Sequence, residues 1–444
     1  MKSRAEHMPD SAGNLTGYSY PTGHAMPRAS VGIDNLRAVF IVMVLAFHAM
    51  SAYIAFIPQH PFALDAPPFL WRAFPIVDRQ RFFGFDLFCA WFDVFLMSFF
   101  YLSSGLFVWS SLSRKGPIAF VQDRLLRLGL PFAAVVMLLM PLTLYPSYVQ
   151  STGDTTVAGY WRTWLGLPLW PSGPAWFLWL LILWDVLAAG VYLLLRRHGD
   201  LVLRLSSYAR QRPAIFLGVL LLGSALAYIP LALVFGPASW FQAGPFGFQI
   251  SRPLHYVLYF FAGAAIGACG IERGLFAPDG ALVQRWKAWL VAAMVLFFAW
   301  GGLTALAYPD PWADVAMTPL ALRAAAGLSY VLACFASCLF VFAAAIRFGG
   351  ERLSGAKARL LDSLKANAFG MYLVHYVFVV WLQFALLGLE LPGLVKGAIV
   401  FAGTLALSWS ATAALRRVPA VANIIGADRR PAIRPASIRV LPAE

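Results

Sequence analysis

Apolar residues run along the chain in long blocks, interrupted at fairly even intervals by short polar segments rich in turn formers. A helix that crosses a bilayer needs about 20 mostly apolar residues. Ten stretches meet that requirement, at about 34–57, 82–110, 128–146, 174–195, 214–236, 252–270, 288–308, 323–346, 366–387 and 393–415. Helix-stopping prolines fall between them, among them Pro58, Pro61, Pro146, Pro171, Pro174, Pro237, Pro309 and Pro311. The pattern predicts an all-α, polytopic integral membrane protein with about ten transmembrane helices. Three parts follow: a mobile polar segment at 1–33, a transmembrane domain at 34–415 and a basic tail at 418–444. No cleavable leader is expected, because the first apolar block is long enough to span.

Composition strengthens this reading. Of 444 residues, 60% are apolar and only 12% charged, against about 25% charged in soluble domains. So little charge cannot coat a water-soluble particle of this size, which excludes a soluble enzyme, a disordered chain and a secreted disulfide scaffold. The net charge of +14 is spread in small clusters between apolar blocks, so no nucleic-acid partner is expected. Cys89, Cys269, Cys334 and Cys338 lie in or beside apolar stretches. They read as buried thiols, and neither a disulfide nor a metal site is expected.

The basic residues set an orientation. With both termini cytoplasmic, few of the 34 Lys and Arg fall outside: Arg72, Arg79, Arg81, Arg162, Arg252, Arg323 and Lys396. The rest lie in cytoplasmic segments or the tail, as the positive-inside rule requires. Trp161, Trp164, Trp170, Trp240 and Trp312 mark the predicted interfaces.

Ionisable groups inside spans are expensive and therefore candidates for function. The first span opens Asp34-Asn35-Leu36-Arg37 and continues to Phe47-His48. Eleven residues of helix bring His48 back to within about 20° of the face of Arg37, roughly 16 Å further along. A cation at the cytoplasmic lip and an imidazole deeper on the same stripe suit a substrate with an anionic part and a reactive end. Between spans two and three, Arg124 and Arg127 stand three apart, a spacing that puts two guanidinium forks on one helix face. Phosphate recognition and simple inside-positive charge both remain open for them. Asp86 and Asp93 share a face of span two, open either to orienting His48, to pairing with Arg37, or to structural pairing with Arg81 or another helix. Tyr372 and His375 share a face of span nine, and His255 follows Arg252 at the outer mouth of span six; acceptor binding and structural roles stay open for each. Asp185 reads as structural.

Taken together, these motifs resemble the membrane acyltransferase-3 family. The residues that carry the resemblance are Asp34-x-x-Arg37 with Phe47-His48, Phe99-Phe100-Tyr101-Leu102-Ser103-Ser104-Gly105, Arg124-x-x-Arg127 with Pro131, Trp176-Phe177-Leu178, and Ala368-Phe369-Gly370-Met371-Tyr372-Leu373-Val374-His375. They occur in matching order over about 34–415, and the aromatic-rich character is similar to the periplasmic glucan succinyltransferase branch. Ser104 is a departure, since many members have a single serine before the glycine. The resemblance implies transfer of an acyl group from cytoplasmic acyl-CoA, a co-substrate rather than a resident cofactor, to a hydroxyl of an extracytoplasmic glycan. It implies that His48 is catalytic, with Arg37, Arg124 and Arg127 on the donor. Acyl transfer to an alcohol needs a base within about 3 Å of the hydroxyl, and no nucleophile elbow is present, so a direct reaction is expected. Asp34, Asp86, Asp93, His255, Tyr372 and His375 are left as acceptor-binding or orienting candidates. Membrane lipid is the remaining partner, in a bacterial cytoplasmic membrane. The competing readings are a proton-coupled secondary transporter using His48, Asp86, Asp93 and His375, and a non-catalytic lipid carrier.

Overall fold

The computed structural model describes residues 28–58, 60–65, 69–195, 200–271, 274–309, 318–350 and 354–425. Most of the expected N-terminal segment and of the basic tail lies outside these residues. Among the described residues the only sheet is a two-stranded hairpin. Its strands are β1 (Trp240–Ala243) and β2 (Phe246–Gln249), antiparallel, with Trp240 opposite Gln249.

The long apolar helices are α1 (Arg28–Met50), α2 (Phe83–Gly105), α4 (Pro117–Thr152), α6 (Trp176–Leu195), α8 (Pro213–Phe235), α11 (Trp286–Ala307), α12 (Leu320–Phe348), α13 (Gly355–Ala385) and α14 (Gly393–Leu415), with a shorter apolar helix, α9 (Pro253–Gly267), between α8 and α11. Short helices connect them: α3 (Val108–Lys115), α5 (Val157–Gly166), α7 (Asp200–Gln211) and α10 (Ala281–Gln284). Nine helices among the described residues are long and apolar enough to cross a membrane. The tenth expected span, at 252–270, is α9, only 15 residues long. At 1.5 Å per residue it covers about 22 Å, less than a hydrocarbon core of about 30 Å.

α9 is short and almost wholly buried because it serves as packing for α2. A Cβ at Gly105 would meet the carbonyl of Phe260, one at Gly263 the carbonyl of Leu102, and one at Gly267 the carbonyl of Leu106. Small residues four apart let two backbones touch inside a membrane, where dispersion rather than hydrophobic burial holds helices together. α4 differs in winding. Its segments Leu125–Gly129 and Val135–Leu139 are π turns. Pro131 and Pro141 follow them, and a proline can neither donate to nor clear the carbonyl four residues back. The helix widens at Arg127 and Met137 instead of breaking.

Side chains assemble into two apolar clusters. One joins the C-terminal end of α1 to α4, α5, α6 and α13; the other joins α2, α9 and α12 to the N-terminal half of α1. Phe47, Phe88, Met97 and Tyr372 pack against both. Phe47 precedes His48 and Tyr372 precedes His375 by one turn, so both histidines sit on the seam between the two clusters.

Candidate active site

The last turn of α1 leaves carbonyls without helical partners, and α13 supplies them. Gln383 Nε2 donates to the carbonyls of His48 at 2.9 Å and Ala49 at 3.2 Å. Ser51 Oγ donates to the His48 carbonyl at 2.7 Å. With the backbone held, the imidazole of His48 is fixed as well. Its Nδ1 lies 2.9 Å from the Val44 carbonyl one turn back and 3.3 Å from His375 Nε2. The two imidazole centroids are 5.1 Å apart, and Tyr376 stands edge-on to His48 at 5.2 Å. His375 is fully buried and its Nδ1 lies 2.6 Å from the Tyr372 carbonyl. His48 is half-buried. Its Nε2 has no hydrogen-bond partner among the described residues and is not among their buried unpartnered atoms. A small cavity beside His375 is lined by Met140, Thr143, Pro174, Tyr372 and Tyr376. The Tyr372 hydroxyl donates to the Pro174 carbonyl at 2.6 Å.

At the other end of α1, Arg37 Nη2 donates to the Ser103 carbonyl at 2.7 Å, and its guanidinium lies 4.5 Å from the centre of the Phe107 ring. A cation on the last carbonyls of α2 also meets the negative end of that helix dipole. Asp34 and Arg124 are both within electrostatic range of Arg37. Arg124 reaches α6, where its Nε is 3.3 Å from Asp185 Oδ2, and its guanidinium packs 4.9 Å from the Phe120 ring centre. Arg127 turns instead to Asp123 at 2.8 Å, which also receives Lys115 at 2.9 Å. The two arginines were expected on one face. The π turn beginning at Leu125 adds residues to the turn between them and sends them to different partners. Asp185 was expected to be structural; it is fully buried and is the ionic partner of Arg124. Its signal in the sequence was a carboxylate alone in an otherwise apolar span.

The remaining candidates go elsewhere. Asp86 accepts from the amides of Ala55 and Phe56 at 2.8 and 2.9 Å, closing the chain after α1. Asp93 pairs with Arg252 through both carboxylate oxygens, at 3.0 and 2.6 Å. Neither carboxylate hydrogen-bonds to His48 or Arg37. His255 is fully buried rather than open at the outer mouth, with Nε2 3.5 Å from Cys334 Sγ and with Tyr228, Tyr256, Tyr259 and Tyr330 around it. All four cysteines are free thiols, and Cys269 is only half-buried. A further buried ion pair, Lys396 Nζ to Asp78 Oδ2 at 2.7 Å, ties the loop before α2 to α14. The sequence marked Lys396 only as an external charge.

Two ends of one helix thus carry different chemistry, cations below and paired imidazoles above, inside an apolar bundle. A family model described as an acyltransferase domain matches residues 30–413 and so spans every group named above. The protein is therefore an integral membrane acyltransferase. It belongs to the acyltransferase-3 family, which displaces the transporter and carrier readings. No curated protein and no solved structure matches the chain.

Proposed function

We propose that the protein transfers an acyl group from cytoplasmic acyl-CoA to a hydroxyl of an extracytoplasmic carbohydrate, from a bacterial cytoplasmic membrane with both termini inside. The observation that carries this reading is the pairing on α1 of Arg37 with an imidazole eleven residues on whose Nε2 is unengaged. Arg37 and Arg124, with Arg127 at the rim, neutralise the phosphates of the donor. The acyl thioester extends along the α1 stripe toward His48. The acceptor hydroxyl arrives from outside beside the same imidazole, which takes its proton as general base. The hydroxyl oxygen attacks the thioester carbon, the carbon–sulfur bond breaks, and the thiolate leaves with the proton that His48 returns. Ester and free coenzyme A thiol are the products, and no covalent enzyme intermediate is required.

Mass spectrometry of cell-envelope glycans from cells with and without the gene tests this. The expected result is an acyl modification present only with the gene, its mass naming both acyl group and acceptor. Identical glycans in the two strains, together with no acyl transfer from acyl-CoA by the purified protein, overturn the proposal. Arg37→Ala is expected to weaken acyl-CoA binding and leave acceptor use intact, read by donor titration of the protein in nanodiscs.

A further inference from the structure

We infer that His375 is a positioning residue: with the Val44 carbonyl it pins a proton on Nδ1 of His48, which leaves Nε2 of His48 as the basic atom. This rests on the reading of His48 as the base and names the atom and the device behind it.

The argument runs through acceptors that have no proton to give. A backbone carbonyl can only accept, so the 2.6 Å contact between His375 Nδ1 and the Tyr372 carbonyl puts the proton of His375 on Nδ1. In the neutral ring, Nε2 of His375 is then a bare lone pair. The 2.9 Å contact between His48 Nδ1 and the Val44 carbonyl likewise puts the proton of His48 on Nδ1. That N–H is shared with His375 Nε2 at 3.3 Å. Every donor faces an acceptor only with both rings in the Nδ1–H form. The opposite direction of the His48–His375 bond would require a doubly protonated His375, a full charge on a wholly buried ring packed against Tyr372 and Tyr376.

His375 therefore does for His48 what a carboxylate does for the histidine of a catalytic triad, without carrying a charge. It orients the ring before reaction. When Nε2 of His48 receives the hydroxyl proton, positive charge appears on the ring, and the lone pair of His375 and the Val44 carbonyl both accept from the more acidic Nδ1–H. The proton on Nδ1 never leaves; the one on Nε2 departs with the thiolate. His375 touches neither substrate in this scheme. Gln383 and Ser51 hold the His48 carbonyl, so the main chain of that turn does not depend on His375.

Nitrogen NMR of ¹⁵N-histidine protein in lipid bilayers tests the inference without any substrate, with signals assigned by the single variants His48→Gln and His375→Gln. Nδ1–H is expected on both residues. His375→Leu is expected to shift the His48 Nδ1 resonance and to lower kcat about 100-fold, with KM for both substrates nearly unchanged. His375→Gln keeps an acceptor at the same reach and is expected to restore kcat to within about tenfold of wild type. A proton on Nε2 of His48 in the wild-type protein overturns the inference, as does a His375→Leu variant with wild-type kcat. A protein with both Nδ1–H tautomers but no acyl transfer sinks the proposed function alone.

Discussion

The two ends of α1 solve the problem of polar groups in an apolar bundle in opposite ways. At the N-terminal end, the cations Arg37 and Arg124 lie near the carboxyl groups of Asp34 and Asp185, and electrostatic attraction reaches well beyond contact distance. Toward the C-terminal end, His48 and His375 are held by short, directional contacts to carbonyls and carry no charge in the scheme inferred above. Charge at the rim tolerates variation in where an anion sits, which suits capture of a multiply charged donor. Hydrogen bonds fix a lone pair to within a fraction of an ångström, which suits proton transfer. In the proposed reaction, binding and chemistry are thus separated along one helix, by about 16 Å.

The sharpest break in that contrast is His48→Ala. Turnover is expected to fall by about 10³-fold while acyl-CoA still binds, measured by coenzyme A release and donor titration on the same sample. Equal losses of binding and turnover would merge the two ends into one site. The buried Lys396–Asp78 pair comes next, since it ties the loop before α2 to α14. Lys396→Met strands a buried carboxylate and is expected to cost about 3–5 kcal/mol, seen as a lower thermal unfolding midpoint in detergent. The double variant with Asp78→Asn is expected to regain most of it. At the inner end, Arg124→Ala is expected to weaken donor binding about tenfold, and Arg127→Ala about twofold, because exposed cations are screened and count for little. Raising salt should widen that difference, because the Arg127 contribution is screened first.

The smallest effect lies at Asp154, outside the spans. The Tyr148 hydroxyl and the Thr156 amide donate to its carboxylate and hold it below the usual carboxylate range. A depressed value means stability that is present above about pH 3.9 and lost as pH falls through the lower folded value. Asp154→Asn is expected to flatten that acid limb in thermal melts and to leave turnover at neutral pH unaltered.

Much of the bundle was legible because a bilayer demands long apolar runs, and nine helices fall where the hydropathy put them. α9 was legible as an apolar stretch but not as a short one, since its length is set by the glycine contact with α2. The prolines of α4 were visible; that they produce π turns, and so separate Arg124 from Arg127, depends on helix geometry that composition does not carry. At the imidazole site His48, Tyr372 and His375 were singled out, whereas Val44, Ser51, Tyr376 and Gln383 were not, since their contributions are a carbonyl, a hydroxyl, a ring edge and an amide. The partnership of His48 with His375 joins positions 327 apart. Asp93 shows the converse: the cost of a carboxylate within a span was foreseen, yet its partner is Arg252 at the start of the neighbouring α9, a choice made by packing.

The glycine contact between α2 and α9 has a mechanical corollary. Backbone lies against backbone there, with no side chains between that can rotate out of the way. Those two helices form one stiff wall. α4, which lines the cavity beside His375, carries two underwound turns and three prolines at 131, 141 and 146. Compliance is therefore concentrated in α4, and under the proposed reaction a bulky alcohol would deform α4 before it disturbed the wall that Arg37 leans on.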